Sequence, residues 1–284
     1  MANPLLSLAS AAARWLPAPL KRGLYRLGPL SAGLRSALNQ AAPEGLSQVE
    51  VAGGGLAGAK MLLDLHSEKD YWLGTYELDL QKAIRDWVQP GMVVYDLGAN
   101  VGYLSLLLAR QVGAGGKVIA FEPLPANQER LLANLRLNPE LNVELIAKAV
   151  GNGSGRMAFN LHASDDMGKL EGSAGRQIEY ADSIQVETVS LDDFVYREHN
   201  PVPGLIKIDT EGGEVLALAG MKRLSAEAQA LLLIELHGPE AARAVWEALS
   251  GANYSLHRLG KGYPVVKSVD ALDWKSYVLG RPPV

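Results

Sequence analysis

The chain has 284 residues, of which 48% are hydrophobic and 20% are charged, a composition typical of a globular protein with a buried core. Its formal net charge of -4 lacks the basic footprint of a nucleic-acid-binding protein, and its lack of cysteine excludes disulfides, thiolate metal sites and cysteine nucleophiles. We find neither a secretory signal nor an apolar run of the roughly 20 residues that span a bilayer, and we expect a cytoplasmic protein without a nucleic-acid partner.

The first segment, residues 1–45, is basic and mixes apolar residues with positive charges. It contains no acidic residue before position 44 and five basic ones: Arg14, Lys21, Arg22, Arg26 and Arg35. One interpretation is a pair of short helices, broken near residues 17–19 and 28–29, that packs on the main domain or on a second subunit in a homodimer. The other is an amphipathic basic helix that makes peripheral contact with an anionic membrane or an acidic partner.

Residues 46–90 are predicted to flank the main domain. From Gln48 to Leu65, apolar and polar residues alternate around a glycine cluster, which predicts a β-hairpin. An amphipathic helix follows, with Leu80 and Ile84 on one face, and a Pro-Gly pair at 90–91 ends it.

In residues 91–284, apolar strand patterns alternate with amphipathic helices. This order predicts an α/β fold with a doubly wound, mostly parallel, seven-stranded Rossmann-like sheet. We also expect a pair of antiparallel strands near residues 156–161 and 184–191, and a single helix from about Gly213 to Leu224.

A glycine-rich turn between the first strand of this domain and its helix is the first candidate binding element. Asp96 at the strand end suits a ligand with a positive ammonium group, such as the methionine part of S-adenosylmethionine. Free N–H groups at the helix start suit a polar ligand. The three-glycine fingerprint of dinucleotide enzymes is missing, and the alternative is a purely structural turn. The candidate cofactor residues here are Asp96, Gly98, Ala99, Asn100, Gly102 and Tyr103.

Glu122 and Pro123 end the next strand. A carboxylate at that place can accept hydrogen bonds from both ribose hydroxyls of a nucleoside, although Glu122 alone could be an ordinary solvated carboxylate. Together with the glycine turn it predicts a nucleoside ligand.

Two later strand ends carry the candidate acceptor side of the site. Asp209 and Glu211 lie in the stretch Lys207 to Glu214, which collects carboxylates at a strand-to-helix junction. Glu235 and His237 end the strand at 230–236, and alternation places both on one side.

These motifs, in this order, resemble the FkbM family of S-adenosylmethionine-dependent methyltransferases. The resemblance rests on D-L-G-A-N-V-G at 96–102, F-E-P at 121–123, K-I-D-T-E-G-G-E at 207–214 and I-E-L-H-G at 234–238, and it extends over roughly Glu68 to His237. It implies a class I methyltransferase fold, S-adenosylmethionine as cofactor, and O-methylation of a small-molecule hydroxyl on a phenol or catechol, a secondary metabolite or a saccharide.

Methyl transfer to oxygen requires removal of a proton, and His237 is the leading candidate base. We expect Glu235 or Asp209 to orient it; Asp209 is the alternative base, and Glu211 belongs to the same catalytic group. In a second version, Asp209, Glu235 and His237 bind Mg²⁺ or another divalent cation that lowers the pKa of the acceptor. A third version is a non-catalytic protein that binds S-adenosylmethionine, with a partner on its N-terminal segment.

Overall fold

The computed structural model describes residues 4–15, 36–161, 168–173, 182–274 and 276–283. The chain divides into two compact units, Met1–Arg85 with Ala133–Pro139, and Asp86–Leu132 with Glu140–Val284. Among the described residues, no helix has the length and apolarity that a membrane crossing requires.

The secondary structure is as follows. The helices are α1 (Pro4–Trp15), α2 (Lys69–Leu73), α3 (Leu78–Trp87), α4 (Tyr103–Val112), α5 (Pro125–Arg136), α6 (Glu214–Ala219), α7 (Lys222–Glu227) and α8 (Pro239–Gly251); residues 36–41 are also helical. The strands are β1 (Leu46–Glu50), β2 (Lys60–Asp64), β3 (Val93–Leu97), β4 (Lys117–Phe121), β5 (Val143–Ile146), β6 (Ala149–Val150), β7 (Gly155–Leu161), β8 (Gly168–Leu170), β9 (Asp182–Val189), β10 (Leu205–Ile208), β11 (Leu231–Glu235), β12 (Ser255–Arg258) and β13 (Tyr277–Arg281).

In the first unit, β1 and β2 form the predicted antiparallel hairpin, with Leu46 opposite Asp64. Two asparagines bind the outer edge of β2. Asn134 accepts a hydrogen bond from the Leu62 amide at 2.7 Å, and Asn138 exchanges hydrogen bonds with the Lys60 backbone at 3.1 and 2.7 Å. These amides satisfy backbone groups that an open sheet edge would leave unpaired.

The second unit contains the predicted seven-stranded sheet, in the order β12-β13-β11-β10-β3-β4-β5. Strand β13 is antiparallel to both of its neighbours, and the pairings from β11 through β5 are parallel. Strands β3, β4 and β5 follow one another outward in one direction, and β10 and β11 do so in the other. The crevice at the carboxyl ends of β3 and β10 is therefore the topological switch point, where open α/β sheets bind their ligands.

A second sheet, in the order β6-β9-β7-β8, is inserted before β10. The predicted antiparallel pair is present as β7 and β9, with Phe159 opposite Ile184. Of the residues that join these two strands, 162–167 and 174–181 lie outside the described part of the chain, and Gly168–Leu170 form β8.

The prediction of one helix from Gly213 to Leu224 was wrong, because the chain forms two short helices, α6 and α7, separated at Gly220 and Met221. Gly220 lies so close to another segment that a Cβ there would overlap the carbonyl oxygen of Gly151. Its own carbonyl accepts a hydrogen bond from the Asp192 amide at 2.9 Å. Contacts distant in sequence therefore break a pattern that locally favours a continuous helix.

Candidate active site at the switch point

The glycine turn after β3 is held by the neighbouring strand. The amides of Gly98 and Ala99 both donate to the carbonyl oxygen of Phe121 at 3.0 Å. Gly98 and Gly102 have φ angles of 75° and 90°, and a Cβ on Gly98 would overlap the carbonyl oxygen of Asp209. The turn therefore requires glycine at position 98 and lies directly against the end of β10.

Asp96 and Lys207 form a buried ion pair between the two central strands. The Lys207 Nζ lies 2.9 Å from Asp96 Oδ1, and both side chains are almost completely buried. The Ser105 hydroxyl donates to Asp96 Oδ2 at 2.6 Å, and the ammonium group also donates to the carbonyls of Leu97 and Gly98 at 3.2 and 2.9 Å. The sequence predicted that Asp96 faces an ammonium group of the ligand. In the structure the ammonium group beside it belongs to Lys207 of the protein.

Glu122 connects the glycine turn to the start of α5. Its Oε2 accepts from the Asn100 amide at 2.8 Å, and its Oε1 accepts from the Leu124 amide at 3.0 Å and from the Asn127 side chain at 3.3 Å. Burial raises the pKa of this carboxyl group, although these three donors oppose the rise. Glu122 therefore fixes the conformation of Asn100, whose φ is 49°. Pro123 joins Glu122 to Leu124.

Glu214 orients His237. Its Oε1 lies 2.7 Å from Nδ1 of the imidazole and also accepts from the Gly212 amide at 3.1 Å. Glu214 is fully buried at the start of α6. The sequence analysis gave the orienting role to Glu235 or Asp209, but both lie on the Nε2 side of the ring. Nδ1 is thereby committed to Glu214, and Nε2 is the nitrogen that faces the rest of the site.

Three carboxylates surround that nitrogen. His237 Nε2 lies 3.7 Å from Asp209 Oδ1, 3.7 Å from Glu211 Oε2 and 3.9 Å from Glu235 Oε1. One ligand atom each from Asp209, Glu235 and His237 can be chosen so that all lie within 4.8 Å of one another. The structure therefore brings together the catalytic and metal-ligating candidates that the sequence identified.

The charges of this cluster shift its pKa values in opposite directions. Burial lowers the pKa of His237, but the hydrogen bond to Glu214 and the charges of Glu214, Asp209 and Glu211 outweigh it and raise the value to about 9. Burial raises the pKa of Asp209, but Lys207, His237 and the Tyr277 hydroxyl together hold it below its usual value. Burial likewise opposes the charge of Lys207, yet Asp96 and Asp209 raise its pKa.

Sequence reasoning did not assign a role to three residues of this site: Lys207, Glu214 and Tyr277. Lys207 and Glu214 lie at the two ends of the carboxylate-rich stretch that the sequence analysis identified. The charge of each side chain could have indicated its role. Tyr277 lies on β13, and its hydroxyl donates to Asp209 Oδ2 at 2.7 Å. No local pattern marks it, because the contact joins positions 68 residues apart in the chain.

The chain is similar in sequence to known methyltransferases. Residues 96–256 match the model of the methyltransferase FkbM domain. The chain is 24% identical over 179 residues to the hexuronic acid methyltransferase AglP of Haloferax volcanii, covering 63% of this chain and 70% of that one. It is 28% identical over 210 residues to the 31-O-demethyl-FK506 methyltransferase FkbM of Streptomyces tacrolimicus, covering 65% and 77%. A solved structure of methyltransferase FkbM from Methylobacillus flagellatus aligns with a TM-score of 0.46 at 18% identity, over 76% of this chain and 53% of that chain.

Proposed function

The chain belongs to the FkbM methyltransferase family, and we propose that it transfers the methyl group of S-adenosylmethionine to a hydroxyl oxygen of a small molecule. When bound, S-adenosylmethionine supplies an electrophilic methyl group on a positively charged sulfur. The related proteins named for hexuronic acid and for 31-O-demethyl-FK506 support a saccharide or another oxygen-rich metabolite as the acceptor.

The residues at the switch point fit this cofactor. Asp209, Glu211 and Glu235 all remain partly exposed, with side-chain exposures of 17%, 49% and 24%, and carboxylates there favour a cationic ligand. Beside them, the Thr210 hydroxyl oxygen is buried and has no hydrogen-bond partner within the described part of the chain. The helix α4 begins at the glycine turn, and its N-cap residue, Gly102, makes no side-chain cap hydrogen bond. Gly98, Ala99, Asn100, Gly102 and Tyr103 are the proposed cofactor-binding turn, with Glu122 and Pro123 beside it.

The observation that carries the proposal is the orientation of His237. Its Nδ1 is committed to the buried Glu214, so its Nε2 faces the carboxylate cluster as the nitrogen that can accept a proton. A histidine held in this way by a carboxylate is the usual arrangement of a general base. Asp209 is less suited to the role, because its Oδ2 accepts from Tyr277 and its pKa is lowered.

A divalent cation is a second candidate at the same place. Asp209, Glu235 and His237 present ligand atoms within 4.8 Å of one another. A metal-bound histidine usually gives its other ring nitrogen to a carboxylate, which is the position of Glu214. In that version these three residues would hold Mg²⁺ or a similar ion, which would lower the pKa of the acceptor hydroxyl.

Methyl transfer from labelled S-adenosylmethionine to a panel of saccharides, catechols, phenols and macrolide alcohols tests the proposal. We expect a methyl ether product, and we expect His237→Gln to reduce its formation by about a hundredfold or more, as for loss of a general base. Parallel reactions with Mg²⁺ and with EDTA separate the two versions: activity that EDTA abolishes and Mg²⁺ restores assigns the three ligands to a cation. Cofactor binding without transfer to any acceptor would favour the non-catalytic binding protein.

The partners expected from the N-terminal segment, a second subunit or an anionic membrane surface, stay proposals of the same kind. They rest on the basic composition of residues 1–45 and on the exposed apolar side chains of α1.

A further inference from the structure

Tyr277 reaches the active site from the last strand of the sheet. The family match ends at residue 256, so β13 lies outside it. β13 runs antiparallel beside β11 with Tyr277 opposite Glu235, and β11 is the neighbour of β10, after which Asp209 follows. The tyrosine is 4% exposed.

The Tyr277 hydroxyl determines how the carboxylate of Asp209 is presented. It donates to Oδ2 at 2.7 Å, and Lys207 Nζ lies 3.6 Å from the same oxygen. The other oxygen, Oδ1, lies 3.7 Å from His237 Nε2. The hydrogen bond from Tyr277 and the ion pair with Lys207 therefore both act on Oδ2, and Oδ1 is directed toward His237. Without the Tyr277 hydrogen bond, Asp209 would keep its ion pairs with Lys207 and His237, at 3.6 and 3.7 Å, and its interaction with Glu235.

We propose that Tyr277 is a positioning residue of the methyl-transfer site, which acts by holding Asp209 in the orientation that the cationic cofactor requires. This inference rests on the proposed function for its chemistry, since Asp209 is a candidate cofactor-binding residue whose backbone also packs against the glycine turn at Gly98. A strand outside the family match thereby completes a site whose other members lie inside it.

The test is a double-mutant cycle on cofactor affinity, which needs no knowledge of the acceptor. Dissociation constants for S-adenosylmethionine are measured by calorimetry for the full-length chain, Tyr277→Phe, Asp209→Asn and the double variant. We expect Tyr277→Phe to weaken binding about tenfold, because the charged carboxylate of Asp209 loses the donor that fixes its orientation. In the Asp209→Asn background the same change should have little effect, because the two residues act as one unit.

Tyr254→Phe is the matched control. Tyr254 is also a buried tyrosine, 5% exposed, and its hydroxyl donates to the carbonyl oxygen of Ala230 at 3.0 Å, away from Asp209. We expect it to alter the melting temperature at least as much as Tyr277→Phe does while leaving cofactor affinity unchanged. Unchanged affinity in Tyr277→Phe, or an equal loss with and without Asp209, would overturn the inference.

The failure of the proposed function has a different signature. A wild-type chain that binds S-adenosylmethionine but methylates no acceptor would overturn methyl transfer. The double-mutant cycle on cofactor affinity could still be measured, because it needs no acceptor. Where an acceptor is methylated, Tyr277→Phe should lower kcat/KM and leave the KM for that acceptor within about twofold, because the acceptor does not bind through the phenol.

Discussion

At the scale of single residues, the site depends on a few buried charges whose partners are fixed. Glu214 and His237 form one pair, and Asp96 and Lys207 form another. Both pairs are largely removed from water, so loss of one partner leaves a charge that water cannot fully stabilise. In the proposed function the first pair takes part in proton transfer, while Lys207 of the second pair also donates to the carbonyls of Leu97 and Gly98 beside the glycine turn. Each pair can be tested separately.

Glu214→Gln should change the pH dependence of methyl transfer. A general base must be neutral, and the pKa of His237 is raised to about 9, so kcat/KM of the wild-type enzyme should rise with pH and level off above about 9. Removing the negative charge of Glu214 lowers the pKa of His237 and moves this rise to lower pH, while poorer orientation of the ring reduces the plateau about tenfold or more. Rate measurements from about pH 6 to 10 extend from the ordinary histidine pKa of about 6.5 to beyond the raised value of about 9, and they check both effects.

The exposed Glu247→Gln on α8 is the control and should leave the profile unchanged. The pair of Glu214 and His237 also affects the stability of the fold. Since folding raises the pKa of His237, its stabilising contribution is complete below the unfolded value of about 6.5 and is lost as pH rises through about 9. A profile with the wild-type midpoint in Glu214→Gln would show that Glu214 does not act through His237.

Lys207→Met should destabilise the fold strongly, because it leaves the carboxylate of Asp96 buried without its cation. Breaking a buried ion pair in this way costs about 3–5 kcal/mol. Urea unfolding of Lys207→Met measures the loss, and Lys117→Met is the comparison. Lys117 pairs with Glu144 at 2.6 Å on the surface, where such pairs contribute about 0–1 kcal/mol. Equal losses for the two variants would contradict the importance of the buried pair.

At the scale of elements, the strands and helices place side chains that are separated in the chain along one edge of the sheet. Asp96, Asp209 and Glu235 each lie at or just past the carboxyl end of a central strand, and parallel pairing in register brings these ends together. The predicted strand and helix order therefore placed these three carboxylates of the candidate site at one edge of the sheet. The break between α6 and α7 was not predictable, because it depends on the approach of Gly220 to Gly151.

Gly220→Ala tests that break. A Cβ at this position would overlap the Gly151 carbonyl, and forcing extra atoms into a packed site costs about 1–3 kcal/mol. We expect a lower free energy of unfolding, measured by urea titration. Gly251→Ala, at the end of α8, meets no atom within 4 Å and should be neutral or stabilising by up to about 1 kcal/mol. A neutral Gly220→Ala would show that the helix break does not need glycine.

At the scale of the whole molecule, the N-terminal segment carries the feature that the methyltransferase site does not explain. On α1, Leu8 is 68% and Trp15 is 81% exposed, and the chain has no acidic residue before Glu44. Arg14, on the same helix, pairs with Glu50 at 2.8 Å. Exposed apolar side chains in a basic segment favour binding to an anionic lipid surface.

We therefore predict that the full-length protein co-sediments with vesicles containing phosphatidylglycerol and less with neutral vesicles. Leu8→Ser with Trp15→Ser should weaken this binding about a hundredfold or more, because each large apolar side chain that leaves water on entering the bilayer contributes about 1.5–3 kcal/mol. Val202→Ser with Val265→Ser changes two similarly exposed apolar residues of the other unit and is the control. Wild-type protein that stays in solution with both vesicle types would contradict the membrane proposal and leave a second subunit as the expected partner.

The sequence by itself determined the order of the core strands and helices, apart from the break in the helix predicted at 213–224. It also determined the glycine turn and placed Asp209, Glu235 and His237 as neighbours. These follow from local patterns, since apolar periodicity and glycine positions define each element and parallel strands align their ends. Only the tertiary structure decided that Glu214 orients His237, that Lys207 neutralises Asp96 and that Tyr277 holds Asp209. Periodicity gives the face on which a side chain lies but not its partner, because the partner depends on the packing of elements distant in the chain.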